Sequence, residues 1–348
     1  MLNRKLVGFV RWLQRLAVAV SCCVLSPGVP PACAADHAAQ SPSAHLRFRL
    51  EPISPVPHTA LADGKRESLG ERLFHDPRLS AAGDRSCASC HPLHQAAIDG
   101  HARGIALDGK ARLRNTPTLF NVSLNASFNW DGALPTLEAH ADRLIASPDV
   151  MGSSWPGLLD RLRDDASYVS AFRAAYSRDI TRDNLLDALG AFQRSLLTPN
   201  ARFDRFLRGE SQAITVEEEV GYGLFKSYGC IACHQGVNIG GNLFQKFGVF
   251  QDPNTTLGPN QEVDTGRYLI TQVDRDRGVF RVPSLRNVAL TGPYFHDGRM
   301  PDLAGAVSVM ARVQLGRSLT KQENDAIVSF LHTLTGEFRG QPLTVAPR

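Results

Sequence analysis

Apolar positions along the chain fall mostly at helical spacing. Leu185, Leu189, Phe192 and Leu196 recur at intervals of four, three and four, which predicts a helix with one buried stripe. Ile327, Phe330, Leu331 and Leu334 repeat the pattern near the C-terminus. Thr320-x-x-Glu323 precedes that stripe as a capping box, and Gly336 offers it an end. A second box, Thr215-x-x-Glu218, opens a helix that runs towards Cys230. Leu303, Val307 and Met310 share one face of a further stripe that starts at Pro301. Between Val237 and Val282 the periodicity stops. That stretch is glycine-rich and polar, and it reads as loops with short strands. The expected fold is mainly α.

The pattern also repeats. Pro117 to Leu124 (PTLFNVSL) matches Pro283 to Leu290 (PSLRNVAL) at an offset of 166 residues. The offset holds without a gap through Asp131-Gly132 against Asp297-Gly298, and through Pro135 against Pro301. An internal duplication is therefore expected, with the two halves joined around 200–215.

The first stretch reads differently. Arg4, Lys5, Arg11 and Arg15 precede an apolar run of ten, Leu16 to Leu25, and then Pro27, Pro30, Pro31 and Ala32-Cys33-Ala34. This is the layout of a secretory signal cleaved after Ala34. A lipid on Cys22 is a weaker reading. The run is too short to span a membrane, so no transmembrane span is expected. Residues 35–57 read as a mobile lead-in. Those four basic residues account for the whole net charge of +4. The remaining chain is neutral and offers no field for nucleic acid. At 43% apolar and 21% charged residues, disorder is excluded as well.

The seven cysteines now sort themselves. Cys22, Cys23 and Cys33 leave with the signal, and Cys87, Cys90, Cys230 and Cys233 remain. Both remaining pairs read Cys-x-x-Cys-His, ending in His91 and His234. In an exported protein this is the attachment signal for c-type haem. Two thioethers a helical turn apart hold the porphyrin, and the histidine supplies the iron's proximal nitrogen. A four-cysteine zinc site or two disulfides would leave the histidines unexplained, and a thioredoxin-like motif is normally single. Two covalent haems, one per half, follow: tandem cytochrome c-like domains over 58–205 and 206–348.

Offset 166 lets the two haem sites be compared. Met310 faces Leu144 in the other copy, and Glu138 faces Ala304. A thioether can ligate iron and an isobutyl group cannot. A haem held by His234 and Met310 is coordinatively full and suits electron transfer. A haem on His91 keeps an open face for a small oxidant, and Glu138 can move the proton that O–O cleavage needs.

These residues resemble the bacterial dihaem cytochrome c peroxidases and their MauG-type relatives. The matching stretches include Leu73 to Ser80 (LFHDPRLS), Arg114 to Thr118 (RNTPT), Trp130-Asp131-Gly132, Pro293 to Gly298 (PYFHDG) and Ala306 to Met310 (AVSVM). The resemblance implies a periplasmic enzyme that reduces hydrogen peroxide with electrons from a small c-type cytochrome or cupredoxin. It makes the haem on His91 peroxidatic, Glu138 catalytic, and the haem on His234 and Met310 the point of electron entry. It also implies an interhaem calcium near Asn115, Thr291 and Pro293, and homodimers occur in the family. Two positions depart from the pattern. Leu107 stands where many members have a histidine that blocks the resting peroxidatic haem, and Phe128 stands where a glutamine is common. The alternatives are a MauG-type oxidation of a partner protein, whose second haem is ligated by tyrosine, and a plain dihaem electron carrier. Trp130 and Phe120 are candidates for the interhaem bridge.

Overall fold

Helices form where the caps and stripes place them. The computed structural model describes residues 51–58, 63–256 and 263–344. In chain order its α-helices are α1 (Gly64–Phe74), α2 (Cys87–Cys90), α3 (Leu137–Ala146), α4 (Trp155–Arg163), α5 (Ala166–Tyr176), α6 (Arg182–Ser195), α7 (Arg202–Leu207), α8 (Val216–Ser227), α9 (Tyr268–Thr271), α10 (Leu303–Leu315) and α11 (Lys321–His332). Strand is scarce. β1 (Phe244–Lys246) pairs antiparallel with β2 (Val279–Arg281), with Gln245 opposite Phe280, and β3 (Glu337–Phe338) pairs with β4 (Gln341–Pro342). The 237–282 stretch is thus mostly loops, with one short strand near each end and the single turn α9 between them. The signal segment, 1–34, lies outside the described residues.

Both capping boxes form. Thr215 Oγ1 accepts from the Glu218 amide at 3.2 Å, and Glu218 Oε2 accepts from the Thr215 amide at 2.8 Å. Thr320 and Glu323 exchange the same two bonds. Each satisfies two of the donors that a helix start leaves bare. Asp302 caps α10 by accepting from the Gly305 amide at 2.7 Å. Gly336 does not end α11. That helix stops at His332, and Gly336 instead lets the chain pass directly over the Thr198 carbonyl, where a Cβ would collide.

Two apolar clusters form the interior. The first gathers Leu73 and Phe74 of α1, Phe120, Leu158 of α4, Tyr168 and Phe172 of α5, and Leu185, Leu189 and Phe192 of α6. The second gathers Phe203, Tyr222 and Phe225 with Ile327, Phe330, Leu331 and Leu334. Each is organised by one close helix pair. Gly70 of α1 lies against the Ala188 carbonyl of α6, and Gly221 of α8 lies against the Ala326 carbonyl of α11. Only a residue without Cβ allows either approach.

The chain ends cross between the clusters. Phe338 and Leu343 pack on the first, and Ile53 belongs to the second. The described part of the supposed mobile lead-in is therefore fixed. Ile53 and Val56 are buried, Ile53 bridges to Gly236, and Tyr222 and Lys226 both bond Glu51. Its few apolar side chains find a hydrophobic socket in the C-terminal half, which repays the entropy of ordering them.

Conformation recurs at the same offset as the sequence. Asn121 (φ 60°) and Asn287 (φ 59°) are both left-handed, and each opens a short 3₁₀ turn, Val122–Leu124 and Val288–Leu290. Phe128 bridges Leu134 just as Tyr294 bridges Met300. The two asparagines, both fully buried, meet at Thr198. Asn121 Nδ2 donates to Thr198 Oγ1 at 2.7 Å, and Asn287 Nδ2 donates to the same oxygen at 3.0 Å. The Thr198 amide returns a bond to Asn121 Oδ1 at 2.9 Å, and the Gly336 amide donates to Asn287 Oδ1 at 3.0 Å. Thr198→Val keeps the shape but strands two buried amide donors. It is expected to cost about 1–3 kcal/mol of stability per stranded group, read as a lowered urea midpoint, with Thr198→Ser near wild type.

Candidate functional site

Each Cys-x-x-Cys-His segment is shaped by its backbone. α2 is a single turn, capped by Ser86 and Ser89, whose Oγ accepts the Ser86 amide at 3.0 Å. That turn sets Cys87 and Cys90 three residues apart on one side. The His91 amide donates to the Cys87 carbonyl at 2.9 Å, so the histidine follows directly below. In the second copy Gly229 (φ 94°) starts the 3₁₀ turn Cys230–Ala232, and the His234 amide donates to the Cys230 carbonyl at 3.0 Å.

Both imidazoles are oriented the same way. His91 Nδ1 donates to the Ala97 carbonyl at 2.9 Å, and His234 Nδ1 donates to the Ile239 carbonyl at 3.3 Å. A carbonyl can only accept, so Nδ1 carries the proton and Nε2 keeps its lone pair. This is the arrangement a metal-ligating histidine needs. Burial holds both rings neutral, with His234 lowered to about 4. Burial also pushes the Cys87 thiol up to about 12 and Cys230 up to about 11. Among the described residues no three or more His, Cys, Asp or Glu stand together as a metal-binding group.

Around His234 lies a cavity of about 250 Å³. Cys230, Cys233, Phe225, Leu303, Val307 and Met310 line it. The three α10 residues that share a stripe in the sequence thus all face the second cysteine pair. Its wall is otherwise largely apolar, and this donor set fits a haem: two thiols a turn apart, one free Nε2, one thioether. Trp130 and Phe120 from the first half also reach this wall, as do Asn115, Thr291 and Pro293. Asn115 Nδ2 donates to the His101 and Ala102 carbonyls at 2.9 and 3.3 Å, and the Asn115 carbonyl accepts from Trp130 Nε1 at 3.0 Å.

Glu138 sits in the first turn of α3, which Thr136 caps. Its Oε1 accepts from Arg194 Nη1 of α6 at 2.5 Å, and the carboxylate lies over Gly190. Arg194 also approaches Asp187 at 3.7 Å, so Glu138 joins a partly exposed ionic chain. Leu144 lies on the same helix, half-buried. Leu107 is held by its amide, which donates to the Asp149 carbonyl at 3.1 Å.

Several residues escaped the sequence reading. Arg286 and Asp204 form a fully buried ion pair at 2.6 Å. Arg286 also donates to the Val237 and Ser54 carbonyls at 2.9 and 2.8 Å, tying the loop after His234 to the N-terminal segment. A signal existed, because the repeat puts Phe120 opposite Arg286. His296 stacks on Phe280 at 4.1 Å and meets Trp130 edge-on at 6.4 Å, so these two repeat partners touch at the junction. His140 gives a further contact, its Nε2 lying 2.8 Å from Asn129 Oδ1.

A helix-rich fold with two such segments defines a dihaem cytochrome-like protein, and the comparisons agree. Residues 64–212 match the family model of the di-haem cytochrome c peroxidases. The chain is 38% identical over 306 residues to cytochrome c551 peroxidase of Nitrosomonas europaea, covering 88% of this chain and 90% of that one. It is 40% identical over 291 residues to cytochrome c peroxidase Ccp of Escherichia coli, covering 83% of this chain but 62% of that longer one. The crystal structure of a MauG-like protein associated with microbial copper homeostasis superposes with a TM-score of 0.70 at 30% identity, over 82% of this chain and 93% of that one. The chain belongs to the di-haem cytochrome c peroxidase family. That is a family of haem peroxidases, oxidoreductases that carry two haems. Among the described residues no helix is long and apolar enough to cross a membrane.

His140 and His296 are both lowered to about 4, mainly by burial. Between pH 6.5 and 4 the unfolded chain therefore binds protons that the folded chain refuses. Stability rises with pH across that window. The urea midpoint of the holoprotein is expected to fall between pH 7 and pH 5, and His296→Phe should flatten that slope.

Proposed function

We propose that this chain is an exported, periplasmic peroxidase that reduces hydrogen peroxide to water with electrons from a small c-type cytochrome or cupredoxin. The observation that carries this reading is the inequality of two otherwise repeated sites. One has Met310 lining the cavity around its histidine, and the other has Leu144 at the matching position of the repeat. The two halves are read as copies of one cytochrome-like unit, 58–205 and 206–348, and the recurrence of Asn121 and Asn287 supports this.

Bound in these sites, two haems would supply an iron that takes up peroxide and a store for the two electrons its reduction needs. Cys87 and Cys90 would hold the first through thioethers, and Cys230 and Cys233 the second. His91 and His234 would each hold a haem through a free Nε2. Met310 would help hold the second haem from α10, which would suit electron entry and supports a peroxidase over a MauG-type enzyme. Glu138 is the proton-transferring group, steadied by Arg194. Trp130 stands between the halves, bonded to the Asn115 carbonyl, and is the preferred bridge. Asn115, with the carbonyls of Thr291 and Pro293, offers the oxygen donors that calcium prefers. Homodimerisation is part of the same reading.

The test is peroxide-dependent oxidation of a reduced small c-type cytochrome by the fully oxidised, haem-loaded enzyme. Turnover is expected from the first seconds, without pre-reduction. Glu138→Gln should keep both haems and lose on the order of 10²–10⁴ in turnover. No turnover with both haems present would overturn the reading. Leu107 yields a second expectation, that the first haem is open at rest. Low-temperature EPR of the oxidised protein should show a high-spin ferric signal, and two low-spin signals alone would refute it.

A further inference from the structure

Glu138 is the acid that the repeat singles out, yet another side chain on α3 occupies the inward position. On α10 the residues lining the cavity beside His234 include Leu303, Ala306, Val307, Met310 and Ala311. Subtracting 166 gives Leu137, His140, Ala141, Leu144 and Ile145 on α3. The correspondence is structural as well. Both helices start one residue after a capping side chain, Thr136 or Asp302, and both follow the same bridge, Phe128–Leu134 or Tyr294–Met300. Ala304, the counterpart of Glu138, does not line the cavity. Glu138 itself turns to Arg194.

His140 therefore takes the place of Ala306, the small residue that faces the second site. Two observations agree. The imidazole lies beside Phe128, ring centres 6.2 Å apart. Asn129 Oδ1 accepts from His140 Nε2 at 2.8 Å, which puts the proton on Nε2 and leaves Nδ1 as a bare acceptor. Asn129 is itself fixed, left-handed at φ 66°, with its carbonyl accepting from Arg281 Nε at 3.1 Å.

We propose that His140 is a distal proton acceptor of the first site, working with Glu138 rather than in its place. The inference rests on the peroxidase reading of that site. Hydrogen peroxide gives up the proton of its binding oxygen to His140 Nδ1, and the imidazole becomes imidazolium. The proton then passes to the departing oxygen, which leaves as the first water with the electron pair of the broken O–O bond, and the two electrons the enzyme holds, with two protons delivered from solvent through Glu138, convert the remaining oxygen to the second water. His140 ends neutral, ready for the next molecule. Glu138, at the rim with Arg194, exchanges protons with solvent.

Hydrogen cyanide tests the acceptor without turnover, because it too must lose a proton as it binds ferric haem. The holoenzyme is mixed with cyanide, oxidised and after one-electron reduction, and association is followed in the visible spectrum. His140→Ala and His140→Gln should each slow association by about a hundredfold or more, the scale of a lost general base. Haem content should be unchanged, and glutamine can still donate to Asn129. Both variants should slow the reaction with peroxide in parallel. If both bind cyanide as fast as wild type, the role of His140 is overturned while the peroxidase reading stands. If wild-type enzyme takes up neither cyanide nor peroxide, the reading of the first site fails and this inference fails with it.

Discussion

A single buried hydroxyl joins the two halves of the molecule. Thr198 Oγ1 accepts from Asn121 of one half and Asn287 of the other, and all three residues are shielded from water. Amides buried this deeply must be satisfied, because an unpaired donor there costs more than the bond contributes. The constraint is mutual. Each asparagine is left-handed, a conformation that asparagine tolerates better than most residues, and each starts the turn that leads to its half's aromatic segment. Trp130 and His296 then meet at the junction, and Asn115 and Trp130 reach into the wall of the C-terminal cavity.

That junction explains why the second site is not a property of the C-terminal half alone. Its wall takes Phe120 and Trp130 from the first half and Met310 from α10. The chain ends reinforce the arrangement. Ile53 and Ser54 belong to the C-terminal core, held by Arg286, while Phe338 and Leu343 cover the N-terminal core. The Arg286–Asp204 pair could not persist as isolated charges. Further bonds from Arg286 to the Val237 and Ser54 carbonyls supply part of the compensation that a buried ion pair requires, while Asp204 Oδ2 stays without a partner.

The sequence repeats at an offset of 166 residues, and a few side chains make the two copies of the pattern unequal. Met310 against Leu144, Ala304 against Glu138, Ala306 against His140 and Arg286 against Phe120 all sit on matching backbone. The helix frame is insensitive to these exchanges, because caps and glycine contacts hold it. The site is sensitive to the exchanges of Met310 against Leu144 and Ala306 against His140, because Met310 and Ala306 line the cavity around His234.

Much of this was legible in one dimension. The Cys-x-x-Cys-His segments are local, since three residues of spacing place two thiols on one side of a turn. Capping boxes and apolar stripes are local too, and α6, α8, α10 and α11 stand where those signals put them. The shared face of Leu303, Val307 and Met310 also carried over into the cavity wall. Tertiary structure decided what those signals could not reach. A stripe tells which face is buried but not what buries it, so the packing of Ile53 and the crossing of Phe338 were invisible. Gly336 looked like a helix end because its sequence context is the same whether it caps a helix or admits a carbonyl. His140 was passed over because one imidazole in a helical stretch carries no periodic signature, and only its place opposite Ala306 and its bond to Asn129 mark it. Distance along the chain sets conformation, and distance through the fold sets chemistry.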